Sequence, residues 1–144
     1  MSDWSRIKEI AEGGIEKSAA ELNIAALLSL SANIKALHVH TKRYAQHKAL
    51  DDAFEALNDT VDEFNECVQG YYLRKTGRRL PLSNPEIKFT LPGDDDKVFD
   101  AVKQLEGKFT RAASRVTDGA SALLSLKDDV LNCFYKLYYL LDLK

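Results

Sequence analysis

The first 80 residues contain no proline, and no glycine lies between Gly14 and Gly70. Because proline and glycine are the residues that most strongly interrupt helices, residues 15–69 can be helical throughout. One helix of that length would extend roughly 80 Å at 1.5 Å per residue, which is too long for a small domain. The stretch must therefore turn back on itself, and we predict two long helices that form a hairpin.

Local capping signals divide this stretch into its two helices. Ser18 and Glu21 have the spacing of a capping box, so a first long helix is expected to begin there. Thr41 is the best N-cap candidate in the middle of the stretch. We predict that a tight turn at this point leads into a second helix over residues 44–69, which Gly70 ends.

Residues 70–96 differ in kind because they contain three glycines, three prolines and a basic cluster, "LRKTGRR". A connection of this length can travel the whole length of a helical bundle. Asp95 or Asp96 is expected to cap a third helix that reaches about Thr117. The "TDG" turn then leads into an apolar fourth helix that runs to the C-terminus, with an apolar stripe of Leu123, Val130, Phe134, Leu137 and Leu141 on one side. This order predicts an all-α, single-domain chain over residues 1–144: a four-helix bundle of ferritin-like connectivity, with a long crossover between helices two and three.

Composition limits the functions open to this chain. The 144 residues carry a net charge of −2, which gives no electrostatic case for wholesale binding to nucleic acid or membranes. Cys67 and Cys133 lack the spacing of zinc ligands and are expected to be reduced thiols. No apolar run approaches the ~18 residues that a membrane helix needs, and the charged N-terminus does not resemble a signal peptide. We therefore expect a cytoplasmic protein without a membrane or nucleic-acid partner.

The predicted second helix carries four polar residues that share one side. His47, Asp51, Asp62 and Glu66 are spaced four, eleven and four residues apart, and at 100° per residue they fall within about 100° of one another. They adjoin the apolar face of the helix and do not lie opposite to it. The same spacing occurs on ordinary solvated helix faces, so spacing alone leaves open both a solvated surface and part of a metal site.

The interval of eleven residues shows what a metal site would require. Asp51 and Asp62 lie about 16 Å apart along one helix, so the two pairs cannot hold the same ion within a single chain. If two copies of this helix packed antiparallel about a two-fold axis, residues 47 and 51 of one copy would oppose residues 66 and 62 of the other. Such a dimer would contain two equivalent sites within one interface.

The pattern His47-x3-Asp51-x10-Asp62-x3-Glu66 resembles the ferroxidase motif of Dps proteins, the small ferritins that protect bacteria from starvation and peroxide. The resemblance implies a site between two-fold related subunits, with one further histidine from the first helix. In "ALHVHT", His38 is the expected counterpart, with His40 as the alternative. The interval from the first to the second histidine is shorter than in Dps proteins, so the turn between the helices must differ.

A wider stretch, "LHVHTKRYAQHKALDDAFEALNDTVDEF", and the ending "LYYLLDLK" are similar to a group of ferritin-like proteins predicted in tailed phages and some bacteria. This similarity implies oxidation of Fe(II) and storage of Fe(III) oxide in a homo-oligomer, either a two-fold dimer or a larger cage. It also implies a bacterial cytoplasm as the location, with the gene carried by the bacterium or by a phage.

Imidazole and carboxylate ligands together suit Fe(II), Mn(II) or Zn(II), and we expect iron from the resemblance. Glu55 and Asn58 share the face of the four motif residues and are expected to support the ligands. Asp128, on the fourth helix, is a further candidate for a supporting residue, and it would contribute to a site within one chain. The alternative interpretation is that Asp128 is a solvated charge within "KDD". The "LRKTGRR" segment could contact a polyanion, although a solvated loop is the simpler interpretation.

Two functions of different classes therefore remain. The first is an iron-binding ferroxidase that acts as an oligomer. The second is a non-catalytic helical bundle that serves as a dimerisation or interaction module, with a degenerate or structural metal site. The four matching positions favour the ferroxidase, whereas the shortened interval between the histidines favours the interaction module. A DNA-binding architectural protein is disfavoured by the net charge.

Overall fold

The computed structural model describes residues 24–80, 89–117 and 119–143, and all regular secondary structure within these residues is helical. The prediction of an all-α chain is confirmed. No helix within residues 24–80, 89–117 and 119–143 combines the length and the apolar content that a membrane span requires. The described residues form four α-helices: α1 (Ile24–His40), α2 (Tyr44–Thr76), α3 (Val98–Thr117) and α4 (Ser121–Asp142). A short 3₁₀ turn over Asp95–Lys97 precedes α3.

The turn between α1 and α2 lies where the sequence predicted it, but Thr41 does not cap α2. The N-cap residue is Arg43, whose side chain makes no capping hydrogen bond. The Thr41 hydroxyl is buried and donates instead to Oε1 of Gln46 at 2.8 Å. The predicted start of the first helix at Ser18 lies outside the described residues.

The cap comes from a distant segment of the chain. Oδ2 of Asp95 accepts hydrogen bonds from the backbone N–H groups of Lys42 (3.0 Å) and Arg43 (3.1 Å), just before α2 begins. The prediction that Asp95 or Asp96 caps the third helix is wrong. Asp94 caps the 3₁₀ turn by accepting a hydrogen bond from the Asp96 N–H, which leaves the next carboxylate for α2. Three consecutive aspartates make these roles indistinguishable from spacing alone.

α2 is seven residues longer than the sequence predicted, because it continues through Gly70 to Thr76. Val68 and Tyr72 are buried on either side of this glycine, so core packing outweighs the roughly 1 kcal/mol by which glycine disfavours a helix interior. Gly77 ends the helix in the left-handed conformation, with φ of 76°, and its N–H donates to the Leu73 carbonyl at 2.8 Å.

One apolar stripe from each helix forms the core. The stripe predicted for the last helix is confirmed, and Phe64 of α2 packs edge-to-face on Phe109 of α3 with ring centroids 5.5 Å apart. Phe99 of α3 is 41% exposed and lies against the Tyr138 ring. The side chains that are almost completely buried include Ile34, Leu37, Leu50, Leu57, Val61, Phe64, Val68, Leu105, Phe109, Phe134 and Leu137.

Each helix packs mainly on two others: α1 contacts α2 and α3, and α4 contacts the same two helices. Asp95, just before α3, touches the turn that precedes α2, whereas the Tyr72 hydroxyl near the end of α2 donates to the Val116 carbonyl near the end of α3 at 3.0 Å. α2 and α3 therefore run in the same direction. Nζ of Lys127, early in α4, donates to Oγ of Ser114, late in α3, so these two helices run in opposite directions.

Candidate metal centre

Two histidines from neighbouring helices form a reciprocal pair. The rings of His38 and His47 stack with centroids 3.7 Å apart and an interplanar angle of 26°. Nδ1 of His38 donates to the His47 carbonyl at 2.6 Å, and Nδ1 of His47 donates to the His38 carbonyl at 2.8 Å. Because a carbonyl oxygen can only accept, each Nδ1 carries a proton, and each neutral ring keeps its lone pair on Nε2. Each histidine therefore holds the other in a tautomer that can bind a metal through Nε2.

The tight hairpin explains how two residues nine positions apart become stacked partners. His38 lies in the last turn of α1 and His47 in the first turn of α2, with only residues 41–43 between the helices. Leu37, next to His38, and Leu50, three residues after His47, are completely buried in the core. His38 itself is buried and His47 is half-buried. The short interval between the histidines is thus accommodated by a three-residue turn.

The segment before α3 fixes this turn. Partial burial raises the pKa of Asp95, but hydrogen bonds to its carboxylate, chiefly from the Lys42 N–H, outweigh that effect and leave the pKa below its ordinary value. The Arg43 guanidinium pairs with the Asp96 carboxylate, which raises the pKa of the arginine. The ionised carboxylates therefore tie the turn that carries the histidine pair to the beginning of α3.

Asp51 adds a carboxylate to the histidine pair. It follows His47 by one helical turn, and its Oδ1 lies 3.9 Å from Nε2 of His38. Two ligands of one first-row metal ion, each about 2.0–2.2 Å from it, lie roughly 3–4 Å apart, so this separation suits a shared ion. Nζ of Lys35 lies 3.3 Å from the same oxygen and 4.9 Å from the centroid of the Phe54 ring. No sequence motif pointed to Lys35, although its position one turn before His38 places both residues on one side of α1.

The other two motif residues do not join this cluster. Asp62 and Glu66 are exposed, and the first of them lies about 16 Å further along α2 than Asp51. Within the residues that the structure describes, no three His, Cys, Asp or Glu side chains converge closely enough to hold a metal ion. One chain thus brings His38, His47 and Asp51 together as neighbours but leaves Asp62 and Glu66 apart from them.

The structure also separates the two alternatives for the extra histidine. Nε2 of His40 donates to the Pro92 carbonyl at 2.7 Å, so this exposed ring contacts the segment before α3. His38, in contrast, stacks on His47 and approaches Asp51. Of the two, His38 is the histidine that lies at the candidate site.

The three expected supporting residues all lie at exposed positions. Glu55 and Asn58 follow Asp51 by one and two turns on α2, on the way to Asp62. Asp128 belongs to α4, which packs on α2 through contacts such as Oγ1 of Thr60 with Sγ of Cys133 at 3.6 Å. Their exposure leaves these side chains accessible to solvent or to a second copy of the chain.

Comparisons with known proteins locate this site within a family. The chain is 30% identical over 139 residues to a protein of Enterobacteria phage T4 named "Uncharacterized 14.6 kDa protein in mobD-ri intergenic region", an alignment that covers 96% of this chain and 99% of the phage protein. No solved structure matches the chain. Residues 38–141, which begin at His38 and contain every other candidate ligand, match the family described as "Family of unknown function (DUF5856)". The chain therefore belongs to the DUF5856 family.

Proposed function

We propose that this protein binds and oxidises Fe(II) at a histidine and carboxylate site that two copies of the chain complete together. The single observation that carries the proposal is the reciprocal pair of His38 and His47, which commits both Nδ1 atoms to carbonyl groups and directs both Nε2 lone pairs to other partners. With the Asp51 carboxylate 3.9 Å from one of these nitrogens, the donor set is typical of Fe(II), Mn(II) and Zn(II) sites.

The proposed fold is a ferritin-like four-helix bundle. The pairwise contacts of α1 and α4 with both α2 and α3 support it, as does the common direction of α2 and α3. Two parallel helices that follow one another in sequence need a connection running the length of the bundle, and residues 77–94 are long enough for this role. In this arrangement α2 presents its polar face to a second copy.

The second half of the site comes from α2 of the partner in this proposal. An antiparallel pairing of two α2 helices that sets position 51 against position 62 also sets position 47 against position 66, because both pairs share the same midpoint. The exposure of Asp62 and Glu66 in a single chain leaves their carboxylates available for this contact. One isologous interface would then complete two equivalent sites, and further contacts between dimers would build a cage.

Fe(II) is the substrate in this account. His38 and His47 supply neutral nitrogen ligands, while Asp51, Asp62 and Glu66 supply oxygen ligands whose negative charge favours the Fe(III) product. Each Fe(II) ion loses one electron, so two ions are consumed when one peroxide molecule is reduced to two water molecules with two protons from solvent. Glu55 and Asn58 are proposed to support the ligands through hydrogen bonds from the same face of α2.

The relative from phage T4 supports a phage-encoded origin, and hence action in the cytoplasm of an infected bacterium. Such a compartment contains reduced iron, which suits an enzyme whose substrate is Fe(II). The two cysteines, one exposed and one half-buried, are both free thiols, which is consistent with a reducing compartment.

Fe(II) oxidation by peroxide tests this proposal. The wild-type protein should convert Fe(II) to Fe(III) well above the protein-free rate, whereas His47→Ala/Asp62→Ala should fall to that rate. The matched control is Asp52→Ala/Glu63→Ala, which removes two exposed acids of α2 that each follow a proposed ligand by one residue. Equally slow consumption of Fe(II) by the wild type and the ligand variant would contradict the ferroxidase proposal.

A non-catalytic interaction module is the second candidate, and one observation favours it. Asp51 already has a cationic partner within its own chain, since Nζ of Lys35 lies 3.3 Å from its carboxylate. A bundle that had lost metal binding would keep such an ion pair and could still dimerise through α2. This candidate predicts a dimer whose native mass does not change with Fe(II), Mn(II) or Zn(II), together with no acceleration of Fe(II) oxidation.

A further inference from the structure

We infer that Lys35 is a built-in competitor for the metal: its ammonium group occupies the Asp51 carboxylate until a divalent ion displaces it, and so sets the concentration at which the site fills. This inference rests on the proposed function. Nζ of Lys35 lies 3.3 Å from Oδ1 of Asp51, and Nε2 of His38 lies 3.9 Å from the same oxygen. The cation and the proposed histidine ligand thus converge on one carboxylate atom.

The position of the Lys35 ammonium is defined from two sides. Besides the carboxylate, it lies over the ring of Phe54 with Nζ 4.9 Å from the ring centroid, a distance at which a cation is attracted to the aromatic face. Asp51 and Phe54 are three residues apart on α2, and Lys35 and His38 are three residues apart on α1. The packing of α1 on α2 therefore places the lysine beside the carboxylate and in reach of the ring.

This ion pair is weak enough to be displaced. The side chains of Lys35 and Asp51 are 45% and 41% exposed, and pairs of this kind contribute little to stability because water screens them. The flexible lysine stem allows the ammonium group to move away without disturbing the helix. A divalent ion on Asp51 would repel an ammonium group that stayed in place, so filling the site requires the lysine to leave.

Mn²⁺ is the probe of choice because it matches the ligand chemistry and does not oxidise under the conditions of a titration. Lys35→Met keeps the length and the apolar stem of the side chain but removes the charge, and Lys35→Arg keeps the charge. Lys136→Met, at an exposed position on α4, controls for the loss of one surface lysine. The melting temperature of each metal-free variant establishes that the fold is retained.

Isothermal titration with Mn²⁺ should show about fivefold tighter binding to Lys35→Met than to the wild type, the upper end of what an exposed ion pair that must first be broken can cost. Lys35→Arg and Lys136→Met should both stay within about twofold of the wild type. Equal Mn²⁺ affinities of the wild type and Lys35→Met would overturn the inference and leave the proposed metal site standing. No Mn²⁺ binding by either protein would reject the proposed site itself, and the inference with it.

Discussion

The two halves of α2 each carry two of the proposed ligands but hold them in different ways. In the first half, His47 is locked to His38 by two hydrogen bonds, and Asp51 lies between His38 and Lys35. In the second half, Asp62 and Glu66 are exposed on a regular helical surface. One chain therefore pre-organises the first pair of proposed ligands and leaves the second pair in water.

This difference shows what folding of a single chain does and does not supply. The rings and backbone of the first half are positioned by the α1–α2 packing, so changes there should affect stability as well as metal binding. Changes to Asp62 and Glu66 in the second half should affect metal binding alone, because these exposed carboxylates contribute nothing to the core. The following predictions test this separation.

The largest expected effect is the loss of metal binding in Asp62→Ala/Glu66→Ala. We expect Mn²⁺ affinity to fall by about 100-fold or more, since two ligands are removed, whereas losing a residue that merely supports a ligand costs about 10- to 100-fold. The free energy of unfolding without metal should stay within about 0.5 kcal/mol of the wild type, because both side chains are exposed. Isothermal titration and urea denaturation measure the two quantities, and an unchanged affinity would refute the role of the second half.

His38→Ala, unlike Asp62→Ala/Glu66→Ala, should lower both the Mn²⁺ affinity and the free energy of unfolding. It removes a buried ring, its stacking on His47 and one hydrogen bond between the helices, the bond from Nδ1 of His38 to the His47 carbonyl. We expect the free energy of unfolding to fall by about 1–3 kcal/mol, together with the Mn²⁺ affinity. His40→Ala, which changes the exposed histidine two residues later, is the control. Loss of affinity without loss of stability would show that the pair is not structural.

Gly70, within α2, and Gly77, just after its end, should respond in opposite directions to alanine. Gly70 lies inside the helix with open space around its Cα, so Gly70→Ala should stabilise the protein by about 0.5–1 kcal/mol. Gly77 has a φ of 76°, so Gly77→Ala should destabilise it by about 1 kcal/mol. Neither change should alter Mn²⁺ affinity, because both glycines lie beyond the proposed ligands. A change in affinity would mean that the two halves are coupled.

Asp95→Asn should have the smallest effect on stability. It changes the carboxylate that binds the turn before the first half of α2. The pKa of Asp95 is lowered in the folded state, so its charge contributes stability above the ordinary carboxyl pKa of 3.8, and that contribution is lost as the pH falls through the lowered value. The melting temperature of the variant should therefore lie below that of the wild type at pH 6 and converge with it in strong acid. A difference that persists at low pH would contradict the assigned role of the charge.

Periodicity and turn residues were sufficient to predict the helices, the α1–α2 hairpin and the apolar stripe of α4. The helix order follows from where helix-breaking residues occur, which is a local property. The capping by Asp95 could not be predicted, because it joins segments about 50 residues apart and two neighbouring aspartates have the same chemistry. α2 continues through Gly70 because Val68 and Tyr72 are buried, and helix propensity takes no account of burial.

The candidate site was predictable to a similar degree. Spacing along α2 placed His47 and Asp51 on one face, and the resemblance to Dps proteins pointed to a histidine near the end of the first helix. The choice of His38 over His40, and the contact with Lys35, depend on the register between α1 and α2, which spacing does not determine. The partner of Asp62 and Glu66 remains a prediction about a second chain.

A mixing experiment with two defective variants tests the central claim most directly. His47→Ala/Asp51→Ala lacks the first half of each site and Asp62→Ala/Glu66→Ala lacks the second, so neither variant alone should bind Mn²⁺. If two copies complete the site, a mixed dimer contains one site in which all four of these ligands are intact. Random pairing after unfolding and refolding the mixture should then restore Mn²⁺ binding to about a quarter of the wild-type amount. A mixture that binds no more Mn²⁺ than the separate variants would contradict the account.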